Sequence, residues 1–223
     1  MTALLAAILF AAFTTPQETP KPPATLLDIT LERQLTPTSK PEAVSPEHVF
    51  NAGDTIRIRL TSHYTGYLYV MDQGSSGHFT TVFPAADTGA DNRLLPNQTY
   101  LVPATADGWF TVEGPAGFDV LYFLLSPTPL ATPSAASFAL PAPISSLKPR
   151  CNDKIFRARG ECMDSSAGPA ALPANATLPA PIAPLAGAAS RDITVTKKSG
   201  TTTIATPTAT DAPVIYTFRL AHK

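Results

Sequence analysis

Residues 66–84 read GYLYVMDQGSSGHFTTVFP, and this stretch decides the fold. Its first part, Gly66 to Asp72, is apolar on both faces and rich in β-formers, as expected for a central strand. Its second part, HFTTVFP, is another β-rich run. Two such runs joined by a short segment carrying Gly74 and Gly77 read as a β-hairpin, with the glycines supplying positive φ at the bend. The same segment admits a chemical reading, in which Ser75 or Ser76 attacks and His78 acts as base. The nucleophile-elbow pattern G-x-S-x-G is not matched, because Gly74 to Gly77 encloses four residues rather than five and a strand follows rather than a helix. The hairpin is therefore preferred, with a Ser/His hydrolase in the Gly74–His78 loop as the alternative.

Outward from this stretch the period of two persists. TLLDITLERQL places Leu27, Ile29 and Leu31 on one face and Asp28, Thr30 and Glu32 on the other, and TIRIRLTS turns Ile56, Ile58 and Leu60 inward with Arg57 and Arg59 toward water. QTYLVP, GWFTVE and FDVLYFLLS follow, separated by Gly, Pro, Asn and Asp, with no helix-period segment between them. Short strands with turn signals at this spacing predict an all-β sandwich or barrel, with its core over residues 45–126. The aromatic group of Tyr64, Tyr67, Tyr69, Phe79, Phe83, Tyr100, Trp109 and Phe110 reads mainly as core, with room for one or two at a loop tip as a partner-binding platform. ADTGADNR offers Asp87, Asp91 and Asn92 as oxygen ligands but lacks the spacing and closing Glu of an EF-hand, so Asx-turn chemistry is the preferred reading. No metal or cofactor is expected.

From Pro127 the chain becomes rich in Pro and Ala, which predicts extended connectors, including a linker over residues 165–190. Between the connectors lies RCNDKIFRARGEC. In an exported protein an even count at short spacing reads as a disulfide, so Cys151 and Cys162 are expected to pair and close a short loop; free thiols or half of a metal site are the alternatives, although no further ligands are at hand. Strand character returns in DITVTKK, GTTTIAT and PVIYTFRL, over residues 191–220. The last puts Val214, Tyr216, Phe218 and Leu220 on one face. That stripe needs a cover, which predicts that the C-terminal strands dock back and join the sheet of TLLDITLERQL. Residues 25–223 then form one domain.

The N-terminal run Ala3 to Phe13 is uncharged, apolar and too short to span a bilayer, so residues 1–15 read as a signal peptide and 16–24 as a Pro-rich spacer. A non-cleaved anchor is the alternative. Export would place the protein in the periplasm or outside the cell, with no transmembrane span after signal removal. With 16 Lys plus Arg against 17 Asp plus Glu there is no basic stripe, and nucleic acid is not an expected partner.

The ordered set VFNAGDTIRIRL, GYLYVMDQGSSGHFTTVFP, ADNRLLPNQTYLVP and GWFTVEGPAGFDVLYFLLS is similar to a bacterial domain-of-unknown-function family. Its exported members run in the order F-x-x-G-D, G-Y-L-Y, G-x-x-x-x-L-F-P, D-N-R, Y-x-V-P, F-x-V-x-G-P-x-G. Val82 stands where Leu is usual. The resemblance implies an Ig-like antiparallel β-sandwich accessory domain, fused in some proteins to caspase-like peptidase or kinase domains, and it assigns no catalytic residues. The expected function is an exported, non-enzymatic module that binds a protein or cell-envelope component. Tyr64, His78, Asp91, Asn92 and Arg93 are the candidate partner-binding residues. A structural subunit of an extracytoplasmic assembly is a further alternative.

Overall fold

The computed structural model describes residues 24–75, 78–105, 108–130, 138–139, 148–151, 161–172, 176, 178–180, 182–185, 192–198, 200–206 and 211–223. The expected signal segment and residues 16–23 of the spacer lie outside them. Among the described residues the strands are β1 (Ala24–Gln34), β2 (Glu42–Val44), β3 (Val49–Phe50), β4 (Thr55–Ser62), β5 (Gly66–Gln73), β6 (His78–Phe83), β7 (Arg93–Leu94) and β8 (Gln98–Val102). They continue as β9 (Phe110–Thr111), β10 (Gly117–Ser126), β11 (Phe138–Ala139), β12 (Gly168–Ala171), β13 (Thr194–Lys198), β14 (Thr201–Thr206) and β15 (Val214–His222). One sheet runs β13-β14-β1-β4-β8, with β2 on β1 and β9 on β4. The other runs β11-β6-β5-β10-β15-β12, with β3 on β15 and β7 on β5. The β3 to β15 pairing is parallel and the others are antiparallel, so the protein is a β-sandwich.

Residues 66–84 form the expected hairpin. Gln73 pairs with Phe79, and the Gly74 amide donates to the His78 carbonyl at 2.9 Å. Gly74 is not at positive φ, contrary to the sequence reading, and Ser76 and Gly77 lie outside the described residues.

The period of two in β1, β4, β5, β10 and β15 fills the space between the sheets. Leu27, Ile29, Leu31, Ile58, Leu60, Leu68, Val70, Phe123 and Leu125 meet Val214, Tyr216 and Phe218 there. The apolar outer face of β5 also has an explanation. Tyr69, Met71, Phe79, Tyr122 and Leu124 form a second cluster outside the sandwich, covered by Leu172, Leu178, Ile182 and Leu185 from the Pro- and Ala-rich connectors. The Tyr69 hydroxyl fastens one of these connectors, donating to the Leu130 carbonyl at 3.2 Å and accepting from the Leu130 amide at 2.7 Å. Cys151 and Cys162 form a disulfide. Cys162 packs with Val49, Phe118 and Ala221, and its carbonyl accepts from the Val49 amide at 2.9 Å, which ties the cysteine loop to β3.

Two expectations are corrected. The stripe on β15 does not join the sheet of β1. There the edges of β1 are taken by β4 and β14, and β15 instead lies between β10 and β12 and meets Leu27, Ile29 and Leu31 across the core. Nor do Arg57 and Arg59 simply face water. Their Nε atoms donate to the two oxygens of Glu32 at 2.7 and 2.6 Å, and the pair of guanidinium groups holds that carboxyl below the usual glutamate range against the opposing effect of burial.

Tyr216 is fully buried and stacked on Phe123 with centroids 5.0 Å apart, yet its hydroxyl has no hydrogen-bond partner among the described residues. Burial alone pushes its pKa well above 10. An unpaired hydroxyl in a core carries its desolvation cost uncompensated, so Tyr216→Phe should stabilise the fold by about 1 kcal/mol, read as a higher urea midpoint. A lower midpoint would mean that the hydroxyl is satisfied.

Candidate functional site

The sequence-selected residues fall at two ends of β5. Tyr64 lies just before β5, half-buried against the core, with its hydroxyl buried and unpaired and its pKa raised by burial to about 12. A Cβ at Gly66 would strike the Tyr64 ring and the Ser126 carbonyl, which accounts for the glycine. Asp91 accepts from the Arg93 amide at 3.1 Å, an Asx turn. Asn92 works as a piece of strand: its carbonyl accepts from the Leu68 amide at 2.9 Å and its Nδ2 donates to the Leu68 carbonyl at 3.0 Å. Arg93 pairs with Tyr67 in register. His78 sits at the far end of β5, exposed, at the start of β6. The five residues therefore do not share one loop, and Asn92 is occupied in holding the scaffold.

Ser75 is engaged without His78. Its amide donates to Asp119 Oδ1 at 2.7 Å and its hydroxyl to the Pro115 carbonyl at 2.9 Å. A nucleophile needs its proton on a base, and this one points to a main-chain acceptor instead.

The sheet edges differ in how they are guarded. β13 carries Lys197 and Lys198, β12 carries Pro169, and β6 is partly covered by β11. β8, QTYLV, has neither charge nor proline and pairs only with β4 among the described residues. Charge and proline are the usual protection against strand addition. Beside β8 a groove of about 370 Å³ opens between the sheets, floored by Leu68, Phe83, Leu94, Tyr100 and Val102.

At the other end of the sandwich three inward faces end in polar groups. Leu68 and Val70 lead to Asp72 on β5, Phe123 and Leu121 to Asp119 on β10, and Phe218 and Leu220 to His222 on β15. Asp72 Oδ1 is buried without a partner among the described residues, and burial, with the Asp119 charge adding to it, pushes the Asp72 carboxyl up to about 8. His222 is 1% exposed, and its Nε2 lies 3.2 Å from Asp119 Oδ1 without a well-directed hydrogen bond. The sequence reading missed this constellation. Its signal was available strand by strand, as a polar residue at a position whose parity is apolar.

In comparisons with known proteins, the family described as Domain of unknown function (DUF4384) matches residues 49–129, less than half of the chain. The match agrees with the resemblance at the level of a family of unknown function. Neither the curated proteins nor the solved structures contain a match. Within the matched segment several residues have structural roles. Gly53 turns the chain at φ 91°, Asp54 accepts from the Asn51 amide at 2.8 Å, and Pro84, Pro103 and Pro115 each follow a cis peptide bond.

Proposed function

We propose that the protein is an exported, non-enzymatic recognition module whose β8 edge takes an extended segment of a partner protein as an added strand. The observation that carries this reading is the contrast between the longer edges: among the described strands of four or more residues, β8 alone lacks lysine, proline and a second neighbouring strand, and it lies beside an apolar groove. Main-chain hydrogen bonds to the edge would give affinity, and alternate side chains of the added strand would enter the groove. The disulfide supports an oxidising compartment, and among the described residues no helix is long and apolar enough to cross a membrane. The Ser75 geometry supports binding over hydrolysis.

Leu101, half-buried near the end of β8 and among the residues lining the groove, stands where a lysine would guard the edge as Lys197 and Lys198 guard β13. A photo-crosslinking residue at Thr99 in the native host should give an adduct of one discrete mass, and the same residue at Thr196 on β13 should give none. Leu101→Lys should reduce the Thr99 adduct at least tenfold with the urea midpoint little changed. Equal adducts from both edges, or a Thr99 adduct untouched by Leu101→Lys, would exclude β8 as the interface.

A further inference from the structure

The polar end of the sandwich shares no lining residue with the β8 groove and has a different chemistry. Two cavities meet there. One, of about 230 Å³, opens outward and is lined by Ser75, His78, Thr80 and Glu113. The other, of about 140 Å³, lies between the sheets and is lined by Ile56, Ile58, Val70, Val82, Phe110 and Leu121. Asp72, Asp119 and Thr111 line both, so the two carboxyl groups stand at the junction of a wet chamber and an apolar one.

We propose that this junction binds a protonated primary amine carried on a short aliphatic chain, with Asp72 and Asp119 receiving the ammonium group and the inner cavity receiving the chain. Three observations support it. Asp72 Oδ1 is a buried acceptor without a donor among the described residues. Nε2 of His222, almost wholly buried and without a hydrogen bond among the described residues, lies 3.2 Å from Asp119 Oδ1, which accepts from the Ser75 amide; Asp119 Oδ2 has no hydrogen bond among the described residues. No Lys or Arg lines either cavity, and Glu113 adds a third carboxyl group.

Among the described residues no three His, Cys, Asp or Glu side chains are placed to hold a metal ion together. An ammonium group needs less. Its three donors are met by two carboxyl groups and a hydroxyl such as that of Thr111. The inner cavity is close in size to an apolar cavity of about 150 Å³ that takes up benzene, and so it suits a chain of four or five carbons, the length of a lysine stem. The amine has two sources, a free alkylamine or a lysine side chain of a partner, and the chemistry at the carboxyl groups is the same for both.

The test is titration of the full chain at pH 8 with 1-aminopentane, followed by amide chemical shifts. Saturable shifts are expected at Asp72, Ser75 and Asp119, while 1-pentanol and ammonium chloride, each lacking half of the ligand, should bind at least tenfold more weakly. Asp72→Asn should weaken binding tenfold or more without lowering the urea midpoint. Val82→Phe, which fills the inner cavity and leaves the carboxyl groups in place, should weaken 1-aminopentane but not ammonium chloride. N-acetyl-lysine amide separates the sources: binding as tight as 1-aminopentane points to a partner's lysine, and binding tenfold weaker to a free amine. Equal affinity for 1-pentanol, or undiminished binding by Asp72→Asn, would overturn the proposal.

Discussion

Asp72→Asn should make the protein more stable, by an amount that grows with pH. An ordinary aspartate titrates near 3.8, whereas in the folded protein burial and the Asp119 charge push Asp72 to about 8. Below pH 3.8 the carboxyl group is neutral in both states and costs nothing. Between the two values the unfolded chain releases the proton and the folded one keeps it, so each step up in pH favours unfolding. Above about 8 both states are ionised and the difference is constant. At about 1.4 kcal/mol per unit over the roughly four units between 3.8 and about 8, the wild-type carboxyl destabilises the fold at pH 8.5 by on the order of 5–6 kcal/mol, which the neutral amide avoids. The other titratable groups around it stay in place in the variant: Asp119 on β10, His78 on β6, Glu113 beyond β9, His222 beside Asp119, and Tyr122, whose hydroxyl is pushed up to about 12 by burial and the Asp72 charge. Glu32, Asp28 and Asp164 titrate below their ordinary values and shape the acid limb in both proteins. Urea unfolding at pH 5, 7 and 8.5 measures the effect. A gain that does not rise with pH would mean that Asp72 is ionised in the folded state at neutral pH.

Truncation after Ser190 should abolish cooperative folding. The cut removes β13, β14 and β15, and β15 alone contributes Val214, Ile215, Tyr216, Phe218, Leu220 and Ala221 to buried positions. Truncating one large core side chain to alanine costs about 2–5 kcal/mol, and a whole domain is stable by only about 5–15 kcal/mol. Loss of β15 also opens one edge of β10, and loss of β14 opens one edge of β1. An isolated fragment of residues 49–129 should fail for the same reason, since it lacks β1 as well. Calorimetry of each fragment should show no transition. A cooperative transition at the full-chain temperature would show that the C-terminal strands are an appendage.

The strands with clean alternation were legible because one face of each meets the core and the other does not. β4 and β15 were read close to their observed limits on that basis, and β5, β6, β10 and β14 from their runs of β-formers between turn residues. The sheet that β15 enters was not legible, since its neighbours are chosen by competition among edges far apart in the chain. The cover on the outer face of β5 escaped for a different reason. Leu172, Leu178, Ile182 and Leu185 are scattered among prolines and alanines without a period, and only the apolar face they meet gives them meaning. For the site, Asp72 and Asp119 each break the parity of an inward face, which the sequence displays. That they converge with His222 depends on the order β5-β10-β15, a non-local fact.

The placement of β14 beside β1 also governs when the molecule can close. Asp28 and Thr203 are hydrogen-bonded partners 175 residues apart. At about 5–20 residues per second of synthesis, roughly 10–35 s separate the appearance of the one from that of the other. During that interval the edge of β1 that β14 will occupy is bare, and β10 waits likewise for β15. Contacts this distant in sequence also make for slow closure once the chain is whole. Until β14 and β15 have both been made, β1 and β10 each lack a neighbour, so the two sheets cannot close at any earlier stage of synthesis.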